Sequence, residues 1–124
     1  MTQMVHADVV LLTREIPTGD LLEYYADASD AALVTLPSPD GATASVFFAE
    51  GDLALVLAVP KMIDYAGDLS RVLGVAEQEL PGGARYWTEG VVAVDSSRLG
   101  FAVATAVAEH CGGQVVIRAS GTVL

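Results

Sequence analysis

The sequence predicts an α+β fold, a mixed and mostly antiparallel sheet with helices on one side, and three observations carry that prediction. Short runs of β-branched residues and Leu recur along the chain, several of them with period-2 alternation. Tight turn signals, Asp40-Gly41 and Glu50-Gly51-Asp52, join some of these runs and require antiparallel hairpins. Longer segments of helical period, with capping residues at their ends, separate others and require crossovers.

Taken in order, Ala7 to Leu12 is a β-branched and Leu run and reads as the first strand. Thr18 can cap a helix that begins near Asp20, with Pro17 just before it. Asp20 and Glu23 then suit the positive end of the helix dipole. Leu21, Leu22, Tyr25, Ala28 and Ala32 fall on one arc at helical spacing, which makes the segment amphipathic over roughly three to four turns. Leu33 to Leu36 is a short strand ended by Pro37 and Pro39. Ala44 to Ala49 and Leu53 to Val59 form a hairpin, and the second of these is apolar on both faces, as an interior strand is.

Pro60 stops that strand, and Met62 to Leu73 can form a second helix with Gly74 at its C-cap. Pro81-Gly82-Gly83 is the clearest break in the chain. Arg85 to Val94 is a strand, and Asp95-Ser96-Ser97 opens a third helix, Leu99 to His110. That helix is apolar nearly all round, with Leu99, Ala102, Val103, Ala106 and Val107 as its richest stripe. Gly112-Gly113 ends it, and Gln114 to Arg118 is the last strand. The order is β-α-β-β-β-α-β-α-β, about six strands and three helices. The final β-α-β can close as a parallel crossover. With no linker, repeat or low-complexity segment in view, residues 1–124 are expected to fold as a single domain.

Charge is the most uneven property of the chain. Sixteen acids face six bases, a formal net charge of −10, in a chain of 124 residues that is 52% apolar. Residues 1–52 carry nine acids and the single base Arg14, so almost all of the imbalance lies in the first half. Such acidity argues against nucleic acid as a direct ligand and against anionic membrane surfaces, both of which need clustered Lys and Arg. The one cysteine, Cys111, cannot form an intramolecular disulfide. The N-terminus has no basic region followed by a long apolar run, and the longest apolar run, Leu53 to Val59, is far short of a membrane span. A soluble cytoplasmic protein is expected.

Two groups of residues stand out as binding surfaces. Asp20, Glu23, Asp27 and Asp30 lie at spacings of 3, 4 and 3, on one face of the first helix and nearly opposite its apolar arc. Four like charges there repel one another, at a few tenths of a kcal/mol per close pair. A docking face for a basic partner accounts for them, since complementary charge speeds association. A solvated face uses the same residues. Arg85, Trp87 and Glu89 share one face of their strand at period 2, and Trp and Arg are frequent interface anchors. A core Trp with charges at the sheet edge is the other reading.

Catalytic and metal chemistry find little footing. His110 and Cys111 are adjacent at a helix end, where side chains rarely face each other, and His6 is the only other His. No HExxH, CxxC, G-x-G-x-x-G, P-loop or G-x-S-x-G pattern is present, so neither metal nor cofactor is expected. Hydroxyls and free N–H groups at Asp95-Ser96-Ser97, with Arg98 close by, suit an anion, but helix capping explains them equally.

Trp87-Thr88-Glu89, an Ala-rich helix, then Ala108-Glu109-His110-Cys111-Gly112-Gly113 and a last strand resemble the C-terminal part of small acidic bacterial immunity proteins that neighbour polymorphic toxins. The resemblance implies a binder rather than an enzyme, and no catalytic residue is carried over by it. An immunity or antitoxin-type protein that neutralises a basic toxin or effector through its acidic surface is therefore the expected function. The alternatives are a small homodimeric structural or regulatory module, which an exposed Phe47 or Tyr86 would favour, and a small-ligand domain or enzyme with a cleft near Arg85, Glu89 and Asp95.

Overall fold

The computed structural model describes residues 5–29, 33–40, 43–63, 83–95, 97–118 and 122–123. Eight strands and two helices are assigned among them: β1 (Val5–Thr13), α1 (Gly19–Ala28), β2 (Leu33–Pro37), β3 (Ala44–Phe48), β4 (Leu53–Leu57), β5 (Lys61–Met62), β6 (Tyr86–Val94), α2 (Leu99–His110), β7 (Gln114–Ile117) and β8 (Thr122–Val123). The fold is α+β. One sheet runs in the order β2-β3-β4-β6-β1-β7-β8, with β5 paired to β6.

All of the pairings among these strands are antiparallel, where a mixed sheet was expected. The reason lies in the order of the strands. The crossover from β6 through α2 to β7 does connect parallel strands, but β1 lies between them and pairs antiparallel with both. The longest ladder joins β1 to β6, from Val5 opposite Val94 to Thr13 opposite Tyr86.

The two helices pack on one face of the sheet. Val9, Leu11, Val46, Leu55, Val92 and Val115 meet Leu22 and Ala26 of α1 and Val103, Ala104, Val107 and Ala108 of α2 in the main core. A second, smaller cluster forms on the opposite face from Val10, Leu12 and Val116, with Ile63, Ala84 and Trp87 packed against it. Interior strands β1 and β4 therefore carry apolar residues on both faces.

Local chemistry sets the ends of the helices. Thr18 is the N-cap of α1, its hydroxyl accepting the Leu21 N–H at 3.3 Å. At α2 the N-cap is Arg98, in the left-handed region at φ 56°, and two neighbours do the capping. Asp95 accepts the Arg98 N–H at 3.2 Å, and Ser97 Oγ accepts the Leu99 N–H at 3.3 Å. The Ser97 hydroxyl donates in turn to Asp95 at 2.7 Å, so both groups are engaged in the turn. The C-terminus of α2 closes with Gly113 N–H on the Ala108 carbonyl at 2.8 Å and Gly112 N–H on Glu109 at 3.1 Å. This wrap needs a left-handed residue after the cap, and Gly112 supplies it at φ 74°.

Several expectations are corrected. The buried side of α2 runs through Gly100, Phe101, Val103, Ala104, Val107 and Ala108, whereas Ala102 is exposed. A helix apolar all round leaves its rotation to size. Gly100 lies where a Cβ would meet the Ala54 carbonyl oxygen at 2.5 Å, and only the smallest residue fits there. In α1 the buried positions are Gly19, Leu22 and Ala26, and Ala28 faces out. Met62, expected to start a helix, is in β5, because Lys61 and Met62 pair with Trp87 and Tyr86. Ile63 follows β5 outside any helix, and positions 64–73 of that expected helix, with Asp30 and Ala32, lie outside the described residues. The two-residue strands β5 and β8 were not foreseen.

Candidate binding surfaces

The outward face of α1 carries Asp20, Glu23 and Asp27, all exposed. Burial of Leu22 and Ala26 fixes this orientation, because helical spacing then turns positions 20, 23 and 27 to solvent. Among the described residues no cation pairs with any of the three. Tyr24, beside them, is 65% exposed, and its ring meets Tyr25 edge-on with centroids 5.0 Å apart. Tyr25 ties the helix to α2, its hydroxyl sharing a 3.0 Å hydrogen bond with His110 Nδ1. That bond also separates His110 from its neighbour in sequence, since Cys111 is buried. Burial, and next the charge of Glu15, push the Cys111 thiol above its ordinary value.

The second surface lies on the other side of the sheet. Trp87 and Glu89 stand opposite Leu12 and Val10 of β1, on the face away from the helices. Trp87 packs into the smaller apolar cluster, and its indole Nε1 is buried with no hydrogen-bond partner among the described residues. Glu89 accepts from Arg118 Nη1 at 2.8 Å, with both side chains about two-fifths exposed. The Arg118 guanidinium carbon is also 6.0 Å from the centre of the Trp87 ring. Arg85 falls one residue before β6. Its side chain is exposed, while its N–H donates to Thr13 and its carbonyl accepts from Ile63, each at 2.8 Å.

The seven residues picked out in the sequence therefore do not form one site. The acids of α1 and the pair Trp87 and Glu89 are on opposite sides of the sheet, and Asp30 lies outside the described residues. Nor do Arg85, Glu89 and Asp95 share a cleft, because Asp95 is six residues along the chain from Glu89, about 20 Å on an extended strand. Phe47 and Tyr86 are half-buried; the exposed large apolar side chains of the sheet include Met62 of β5 at 75%, Val5 of β1 at 65% and, on edge strand β2, Leu36 at 56% and Val34 at 50%.

Sequence reasoning missed Asp8 and Arg118. Cross-strand pairing puts them in one row, Leu36-Ser45-Val56-Val91-Asp8, continued by the Arg118 N–H bound to the Asp8 carbonyl at 3.0 Å. A charged residue inside the otherwise apolar Ala7 to Leu12 run was the available signal for Asp8. Among the described residues no helix is long and apolar enough to cross a membrane. Set against protein-family models, curated proteins and solved structures, the chain matches none of them significantly.

Proposed function

We propose that this protein is a binding module of the immunity or antitoxin type, which engages a basic protein partner through the acidic face of α1. The supporting observation is the set of three exposed carboxylates, Asp20, Glu23 and Asp27, with no cation paired to them among the described residues. A partner that brings Lys and Arg to this face relieves repulsion already present in the free protein. It also gains long-range attraction toward a molecule of net charge −10. A toxin or effector that acts on nucleic acid has the matching positive surface, because it must hold phosphates. The exposed ring of Tyr24 adds an aromatic contact within the acidic face.

The test is capture from a lysate of the source cells at low and at high salt, with the wild-type chain and with a variant carrying Asp20→Lys, Glu23→Lys, Asp27→Lys and Asp30→Lys. Circular dichroism confirms that the variant is folded. The proposal expects a basic protein to be retained by the wild type, released by salt and lost from the variant. Equal capture by both chains would reduce the acidic face to a solvated surface. A second reading, a homodimer joined along the β2 edge, is favoured by the exposed Val34 and Leu36 there. Sedimentation across concentrations decides it, and a strict monomer removes it.

A further inference from the structure

The face of the sheet opposite the helices holds a cleft of about 320 Å³ above β4, β6 and β1. That volume is at the small end of the range for small-molecule sites. Val56, Ala58 and Val91 make its apolar lining, and Asp8, Glu89 and Arg118 bring charge to it. We propose that this cleft binds a small organic cation, an alkyl ammonium or alkyl guanidinium, with its head on Asp8 and its tail on Val56 and Val91.

The charges of the cleft decide the sign of the ligand. Arg118 is committed to Glu89 at 2.8 Å and lies against the Trp87 ring. Asp8 has no ion-pair or side-chain hydrogen-bond partner among the described residues, although its carbonyl holds the Arg118 N–H. Two carboxylates against one guanidinium leave the cleft net negative, inside a molecule of charge −10. An anion would have to displace Glu89 from Arg118 and face both repulsions. A cation takes the unpaired carboxylate and leaves the existing ion pair in place.

Position in the sheet removes the simplest alternative role for these charges. Charged side chains on edge strands block pairing with other molecules. Asp8 and Glu89 are instead on β1 and β6, each with neighbours on both sides, so they guard no edge. A carboxylate beside apolar side chains also makes a charge-assisted hydrogen bond to an ammonium or guanidinium, stronger than one between neutral groups. The Val56 and Val91 side chains shed water against the alkyl tail of the ligand. This site is on the far side of the sheet from α1, so it stands or falls separately from the acidic helix face.

Titration of the isotope-labelled protein with n-butylguanidinium and n-butylammonium, followed by NMR, tests the proposal. Butyrate and 1-butanol at matched ionic strength serve as controls with the same tail. Saturable shifts at the methyl groups of Val56 and Val91 are expected with the two cations and not with the controls. Asp8→Asn, nearly the same shape without the charge, should weaken the cations about tenfold. Glu50→Gln, which removes an exposed acid in the β3–β4 turn, should leave them unchanged. A Gly-Arg-Gly peptide with blocked ends separates two sources of the cation: tighter binding of butylguanidinium is expected for a free small molecule, and tighter binding of the peptide would give the cleft to a protein side chain and overturn the proposal. No saturation below about 20 mM, beyond the weak end of ligand affinity, would overturn the proposal. So would an equal response to butyrate, unchanged binding by Asp8→Asn, or an equal loss in Glu50→Gln.

Discussion

Thr88 is fully buried on the long central strand β6, and its hydroxyl has no hydrogen-bond partner among the described residues. A buried polar group without a partner loses its water and gains nothing in return. Thr88→Val replaces the hydroxyl with a methyl of similar size, and should stabilise the chain by about 1 kcal/mol. Urea unfolding with an unchanged slope measures it, and a loss of stability would mean the hydroxyl does have a partner. Cys111 makes a different prediction. Burial first and Glu15 second raise its thiol pKa, so the folded chain keeps that proton to higher pH than the unfolded chain does. Below the ordinary thiol value both states are protonated, and this contribution to stability is constant. As pH rises above roughly 8.5 the unfolded thiol ionises first, and stability falls. Stability profiles of wild type and Cys111→Ala should therefore run parallel at neutral pH and converge at alkaline pH. Profiles that stay parallel throughout would show that the thiol ionises alike in both states.

At the scale of elements, the tightest junction is where α2 ends and β7 begins. A Cβ on Gly113 would collide with the Leu12 carbonyl oxygen and carbon and with Thr13 Cα, all backbone atoms that cannot turn aside. The same turn gives the Cys111 carbonyl to the N–H groups of Arg14 and Glu15, so helix end and strand end are held together. Gly113→Ala should cost roughly 1–3 kcal/mol or more, read from the midpoint of urea unfolding. A change within the noise would mean that the two backbones separate easily. The Gly-Gly pair marked this helix end in the sequence, because helix termination is a local event. Strands of four residues or more were legible for the same reason, through period 2 and turn chemistry. The rotation of α2 was not legible, since its apolar residues surround the axis and close approach at Gly100 decides instead. Nor were β5 and β8, two-residue strands that exist only through pairing with β6 and β7. The open face shows the same division. Alternation put Trp87 and Glu89 together, but Arg118 joins them only because β7 lies beside β1, and that neighbour comes from far along the chain.

For the whole molecule the decisive quantity is net charge, and the fold gives it a position. Asp20, Glu23 and Asp27 are held on one exposed face of α1 by the burial of Leu22 and Ala26, so the folded chain gathers like charges that an unfolded chain spreads apart. Folding therefore works against this repulsion, and salt should relieve it, because at 0.1 M the Debye length is only about 10 Å. Raising NaCl from about 0.02 to 0.3 M should stabilise the wild type by about 1 kcal/mol, or roughly 4 °C in Tm for a domain of this size. Sodium chloride is the right probe, since sulfate and phosphate strengthen apolar burial in every protein. The four substitutions to Lys at positions 20, 23, 27 and 30 add eight units and take the net charge from −10 to −2. That variant should show a flatter response to salt and a higher Tm at low salt. A response as steep as that of the wild type would place the repulsion elsewhere in the molecule. A flattened response combined with loss of the basic partner would join the two effects at one surface, where α1 gives up stability in the free protein and recovers it when opposite charge arrives.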